Sequence, residues 1–293
     1  MINDPLPPPW LRYPAIPMGS IGWRMGAGEE YMSQWSDWFT QLAPEAQALY
    51  RGWFPPPPTC QGFYDPGFGH GYGFDAETDF SCTGPSGWGV VYWQRSGVPR
   101  YSRQMLIDGA WDGEFVFFWK PGTDAVGPET AVGPETLSQW QPSPFRIYDE
   151  CCCAEQYMMA EKARLFGDEA VEDEIMATQD PKLMKSLGRK VANFDAPLWD
   201  KAKYSIVLDG NYAKFTQNET LREYLKSTSG KVLVEASPMD TIWGIGLGAG
   251  NPKAADPSQW RGQNLLGFAL MEVRDEITKV WANYDRIDWS GFP

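Results

Sequence analysis

Hydrophobic and polar positions repeat with a helical period in several stretches of the chain. "GEEYMSQWSDWFTQLAPEAQALY" (28–50) places Tyr31, Trp35, Trp38 and Phe39 at helical spacing, which predicts an amphipathic helix or helix pair ended by the prolines of "WFPPPPTC". Residues 1–20 are proline-rich and read as an extended arm. Residues 61–104 are rich in glycine and aromatics, a β-rich or irregular lobe with a strand at "WGVVYWQ" (88–94). A second strand is expected at "GEFVFFWK" (113–120). The tandem hexapeptide "AVGPETAVGPET" (125–136) that follows marks an exposed loop. Beyond 137 the pattern predicts helices over 154–167, 181–190, 197–208, 211–227 and 264–280, with Asn218 as an N-cap and a strand over 231–237. Short strands among more numerous helices imply an α+β class rather than a repeating βαβ unit.

The helix over 154–167 carries the first chemical signal. At about 100° per residue, Glu155 and Lys162 fall inside the stripe formed by Met158, Met159, Leu165 and Phe166, while Gln156, Glu161, Arg164 and Asp168 fall opposite and are expected to face water. An unpaired buried charge is costly, so Glu155 and Lys162 either pair with another element or line a cavity. A carboxyl among methionines has a raised pKa suited to proton transfer, and a desolvated lysine suits nucleophilic or charge-stabilising work. The pattern alone leaves a structural ion pair equally open.

Other chemistry is narrower. Net charge is −13, distributed as −8 over residues 1–136 and −5 over 137–293, and neither part has a Lys/Arg run for tracking a duplex. Nucleic acid would be met at a single nucleotide. Five cysteines include the triplet Cys151 to Cys153 but no CxxC pair, and the single histidine, His70, sits in the glycine-rich "GFGHGYGF". Zinc or a histidine-based nucleophile is therefore not expected, and no metal or redox cofactor is called for. No apolar run approaches the roughly 20 residues of a membrane span, and "MINDPLPPPWLRYPAIP" is not a signal peptide. The expectation is a soluble intracellular protein, cytoplasmic or nuclear.

The segment "LVEASPMDTIWGIGLGAG" places Glu235 at a strand end and Asp240 before a glycine string. A dinucleotide fingerprint must open a helix, and Asn251-Pro252 follows instead, so the segment reads as a pocket wall where backbone approaches a ligand.

Together "LSQWQPSPF", "AEQYMMAEKARLFGD", "GRKV", "LWDKAKYSIVLDGNYAKFTQN", "LVEASPMDTIWGIG" and "WRGQNLLGFALMEVRDEI" resemble the NADAR (YbiA-like) family of N-glycosidases over residues 114–280. The resemblance implies a mainly helical α+β domain with a few short strands at 105–293, behind an N-terminal aromatic, proline-rich module at 1–104. It implies hydrolysis of a riboside C1–N bond, either removing ADP-ribose from guanine, in nucleotides or at one base of a nucleic acid, or acting on ribosylamine intermediates of riboflavin synthesis. A reading from another class is a silent reader of ADP-ribose, with the N-terminal module engaging an unidentified protein. Carried over by motif, the catalytic positions are Glu155 of "AEQY", Lys162 of "AEKA" and Asp240 of "MDTIWG". Trp199 of "LWDKAK" matches the family's tryptophan. Ser138, Gln139, Trp140, Arg189, Glu235, Trp243, Gly244 and Asn264 complete the expected substrate-binding set. The family commonly has Ser-Asn-Phe where this chain has Ser138-Gln139-Trp140, which implies a shifted seat for sugar or base.

Overall fold

The computed structural model describes residues 2–18, 20–65, 81–93, 98–109, 113–121 and 132–292. His70 with its glycine-rich loop, and residues 125–131 of the tandem hexapeptide, lie outside them. The chain forms two compact units, one of residues 1–77, 146–148 and 275–293, the other of 78–145 and 149–274. This division differs from a boundary at 104/105: residues 78–104 belong with the larger unit, and the last nineteen with the smaller.

The smaller unit is built on aromatics. Helices α1 (Pro9–Arg12), α2 (Ala27–Gln41) and α3 (Pro44–Trp53) bury Trp10, Tyr31, Trp35, Phe39, Tyr50 and Phe54. The proline-rich start is tied down rather than free. Tyr31 donates its hydroxyl to the Pro7 carbonyl at 2.6 Å and Tyr50 to Leu6 at 2.7 Å, and the Trp35 indole donates to the Tyr50 oxygen at 2.9 Å. Those bonds satisfy carbonyls that a proline run, lacking donors, cannot pair in a ladder.

The larger unit holds the short strands and most helices. Strands β1 (Ser81–Thr83) and β2 (Gly89–Val91) form a hairpin, followed by α4 (Arg103–Ile107), β3 (Phe115–Phe118), and the two-stranded sheet of β4 (Phe145–Arg146) and β5 (Glu150–Cys151). Helices α5 (Ala154–Phe166), α6 (Glu169–Ala177), α7 (Pro181–Gly188), α8 (Ala196–Gln217) and α9 (Glu219–Ser227) lead to β6 (Val232–Glu235), and α10 (Leu265–Val280) closes the order, with its residues 275–280 counted in the smaller unit. β6 pairs parallel with β3, Phe118 opposite Glu235. The class is α+β, mainly helical.

Three elements depart from the periodicity. α6 was not expected. It is nucleated by Asp168, whose side chain accepts from the Val171 amide after Gly167 ends α5 at φ 74°. α8 runs unbroken to Gln217 where two helices were expected, and Gly210 is a crossing point instead of a break. A Cβ there would lie 2.6 Å from Tyr157 Cδ1, so glycine lets α8 press on α5. The third departure is the polar side of α5. Gln156 and Glu161 are buried, because α6, α7 and α8 all pack on this helix. Gln156 is held by four backbone groups: it accepts from the Cys152 amide at 2.8 Å and donates to the carbonyls of Ile175, Met176 and Thr178.

Candidate active site

The first turn of α5 points Glu155 into the protein. Cys153 caps the helix, and the Glu155 amide donates to the Gln139 carbonyl at 3.0 Å, which ties the helix start to the Ser138-Gln139-Trp140 segment. Glu155 is 3% exposed, and its Oε1 has no hydrogen-bond partner among the described residues. Burial pushes its carboxyl up to about 7. The Lys185 ammonium, a hydrogen bond from the Trp140 side chain and the Arg189 guanidinium oppose that rise, while Asp240 adds to it.

Glu235 meets Glu155 from β6. Its amide donates to Asn264 Oδ1 at 2.9 Å, and Asn264 Nδ2 returns a bond to the Leu233 carbonyl at 2.9 Å. Asn264 holds φ 58°, a left-handed backbone that asparagine tolerates. Gly244 packs beneath, where a Cβ would lie 2.9 Å from the Glu235 carbonyl. Glu235 Oε2 is buried without a partner among the described residues, and burial with the Asp240 and Glu155 charges pushes this carboxyl up to about 8 against the pull of Lys185.

Asp240 is the ionised member. Its Oδ1 accepts from the Trp243 amide at 2.8 Å and the Ile242 amide at 3.0 Å, and its Oδ2 pairs with Lys185 Nζ at 3.3 Å. Burial alone would raise it, but those amides and the ammonium hold it below the usual carboxylate range. Two protonatable glutamates thus face one fixed anion, with the cations Lys185 on α7 and Arg189 just past its end.

Lys162 is placed apart from that exchange. Its ammonium donates to the Gly188 carbonyl at 2.7 Å and lies over the rings of Phe194 at 4.2 Å and Trp199 at 5.4 Å. Burial lowers its pKa. The cations that act on Glu155 are Lys185 on α7 and Arg189 just past its end, both from another element as the helical stripe left open, while the Lys185 ion pair itself is made with Asp240. Ser138 receives the Trp140 amide at 3.2 Å, and Gln139 Oε1 accepts from Asn211 Nδ2 at 3.3 Å. Trp140 also lines a cleft of about 280 Å³ with Pro142, Cys152, Cys153, Gln179 and Lys182. Among the described residues no group of three or more histidines, cysteines or carboxylates is arranged to hold a metal ion, and no helix is long and apolar enough to cross a membrane.

Sequence reasoning missed Lys185. Its one local signal is the spacing to Arg189, one turn on along the same helix face.

The family model of the NADAR domain matches residues 117–278. The chain is 46% identical over 151 residues to N-glycosidase R617 of Acanthamoeba polyphaga mimivirus, an alignment covering 50% of this chain and 89% of that protein. It is 42% identical over 127 residues to Protein irg-1 of Caenorhabditis elegans, covering 43% of this chain and 60% of that one. With N-glycosidase YbiA of Escherichia coli it shares 32% over 124 residues, 42% of this chain and 69% of that protein. An NMR structure of E. coli YbiA superposes with a TM-score of 0.45 at 24% identity, covering 57% of this chain and 86% of that one.

Proposed function

The chain belongs to the NADAR domain family, and from that premise we propose that it is an N-glycosidase that hydrolyses the C1–N bond of a ribosylated base, its substrate being ADP-ribosylated guanine. One observation carries the reading: Glu155, titrating near 7, faces an Asp240 held ionised. Carboxyls whose environments drive their pKa values apart can divide acid and charge-stabilising work between them.

Breaking C1–N leaves a pair of electrons on nitrogen and positive charge on the ribose. Protonated Glu155 delivers a proton to the departing nitrogen. The Asp240 anion, fixed by two amides and Lys185, stabilises the cationic sugar. Water adds its oxygen to C1 and gives its proton to the Glu155 carboxylate, restoring the acid. Glu235, mostly protonated at neutral pH, offers a donor to a ribose hydroxyl. Lys162, framed by Phe194 and Trp199, binds substrate oxygens or, once deprotonated, condenses with an opened C1 aldehyde and releases water. Trp140, Trp199 and Trp243 supply ring faces for the base and the Ser138–Gln139 segment supplies polar contacts, while Asn264 and Gly244 shape the wall. Exposed Arg189 supplies a guanidinium for a phosphate of the ADP-ribose tail.

Incubation with a guanine-ADP-ribosylated oligonucleotide tests the assignment. Release of free ADP-ribose by the wild type and not by Glu155→Ala is the expected result. Turnover restricted to a riboflavin-pathway ribosylamine would replace the substrate. Binding of ADP-ribose with no turnover of either substrate would make the domain a reader.

A further inference from the structure

α8 contains a lysine that packing does not call for. Lys214 is fully buried, and its ammonium donates to two backbone carbonyls, Thr136 at 2.7 Å and Ser138 at 2.9 Å. Burial lowers Lys214 to about 7, and the group that opposes this is the neighbouring Cys153. The Phe215 ring also lies 5.0 Å from the ammonium, and a buried cation held by neutral groups costs stability that an apolar side chain of the same length would not.

The two carbonyls flank the start of the segment that reaches the acid. One residue beyond Ser138, the Gln139 carbonyl receives the Glu155 amide, and the next residue, Trp140, hydrogen-bonds the Glu155 carboxylate. Asn211, one turn before Lys214, holds the same segment through Gln139 Oε1 at 3.3 Å and anchors itself on the Val207 carbonyl at 2.8 Å. α8 thus grips residues 136–139 from below while α5 is bonded to 139–140.

We propose that Lys214 is a positioning residue for the reaction: it fixes the 136–140 segment so that the Trp140 indole stays on Glu155. This rests on the reading of Glu155 as the acid. Other groups facing Glu155 are Lys185 on α7, Arg189 just past its end, Asp240 from the turn after β6, Glu235 at the end of β6, and Cys153 at the helix cap. Of these, Cys153 is the one that also acts on the Lys214 ammonium, so a change at Lys214 reaches Glu155 chiefly through Trp140.

The test compares Lys214→Met, Trp140→Phe and the double variant with wild type. The Glu155 carboxyl is followed by infrared difference titration against Glu155→Gln, beside kcat and KM on the ribosylated substrate. Losing the Trp140 bond destabilises the carboxylate, so Lys214→Met moves the Glu155 midpoint upward by about one pH unit. kcat falls by about 100-fold, as for a misplaced catalytic group, and KM changes far less. Trp140→Phe gives the same displacement, and the double variant adds nothing further. An unmoved Glu155 midpoint in a folded Lys214→Met would overturn the proposal and leave Lys214 as packing. Lys214→Gln, which keeps a donor but cannot reach both carbonyls, serves if the methionine variant does not fold. If wild type cleaves no ribosylated base, the glycosidase reading falls, while the titration still decides whether Lys214 positions Trp140.

Discussion

Two glutamates six residues apart on α5 are equally buried, 3% exposed for Glu155 and 4% for Glu161, and the chain treats them in opposite ways. Glu161 has both oxygens satisfied. The Trp88 indole donates to Oε2 at 2.9 Å and Arg164 pairs with Oε1 at 2.8 Å, with Arg164 further bound to Glu172 and Asp149 at 2.6 Å each. Glu155 keeps an oxygen without a partner among the described residues, and its cations come from α7 and the residue just past its end. A buried polar atom left unpaired in a folded protein asks for a reason. At one end of the helix charge fastens the β1–β2 hairpin to α5, and at the other it is kept available. Burial alone does not separate a structural charge from a reactive one; the hydrogen-bond account does.

The largest expected effect breaks the comparison at its reactive end. Glu155→Gln keeps shape but cannot give a proton, and turnover is expected to fall by about 10³-fold, measured as ADP-ribose release. A change at the other end, Glu161→Ala, removes one of the three carboxylates on Arg164 and the acceptor of the Trp88 indole. It is expected to cost about 1–3 kcal/mol of stability, read by urea denaturation, while turnover per folded molecule stays near wild type. Loss of turnover in the folded Glu161 variant would erase the distinction between the two ends.

A third expectation follows from linkage. Glu155 rises from its ordinary 4.5 to about 7 on folding, so between those values the folded chain holds the proton more tightly than the unfolded chain. Stability contributed by this group is therefore present below pH 4.5 and lost as pH rises toward 7. Glu155→Gln cannot titrate, and its stability relative to wild type is expected to climb over that window by about 3 kcal/mol. Denaturation midpoints at pH 5 and pH 8 check it. A difference that stays flat with pH would mean that Glu155 carries no desolvation cost.

Much of this contrast could not be seen in the order of residues. The helical stripe singled out Glu155 because the apolar neighbours Met158, Met159 and Phe166 are local to it. The same wheel sent Gln156 and Glu161 to water, since their partners come from elsewhere: the carbonyls at the end of α6, and Trp88 on the hairpin. Lys185 escaped for the same reason. Its partner Asp240 is 55 residues away, and a single lysine on a short, half-exposed helix has no pattern of its own. The gap expected between helices 197–208 and 211–227 is filled by continuous helix, because Gly210 gives Tyr157 the space it needs. The family motifs supplied Asp240 and Trp199, but residue order could not say that Lys162 would sit between Phe194 and Trp199 with its ammonium on the Gly188 carbonyl.

The smallest effect sharpens the comparison through charge alone. Lys185 pulls down Glu155, Glu235 and Asp240 together, and its side chain is 38% exposed, so solvent screens much of that pull. Turnover needs Asp240 ionised, which sets the acid limb of the pH profile, and Glu155 protonated, which sets the alkaline limb. Removing the ammonium in Lys185→Met raises both carboxyls, so both limbs are expected to move toward higher pH by about half a unit. The wild-type profile in high salt should move the same way, because screening weakens the partly exposed pair. Arg164→Met at the other end of α5 removes a cation from Glu161 and is expected to leave both limbs in place. If the Arg164 variant shifts the profile as far as the Lys185 variant does, the two ends of α5 form a single electrostatic system, and Glu161 belongs to the reaction as well as to the fold.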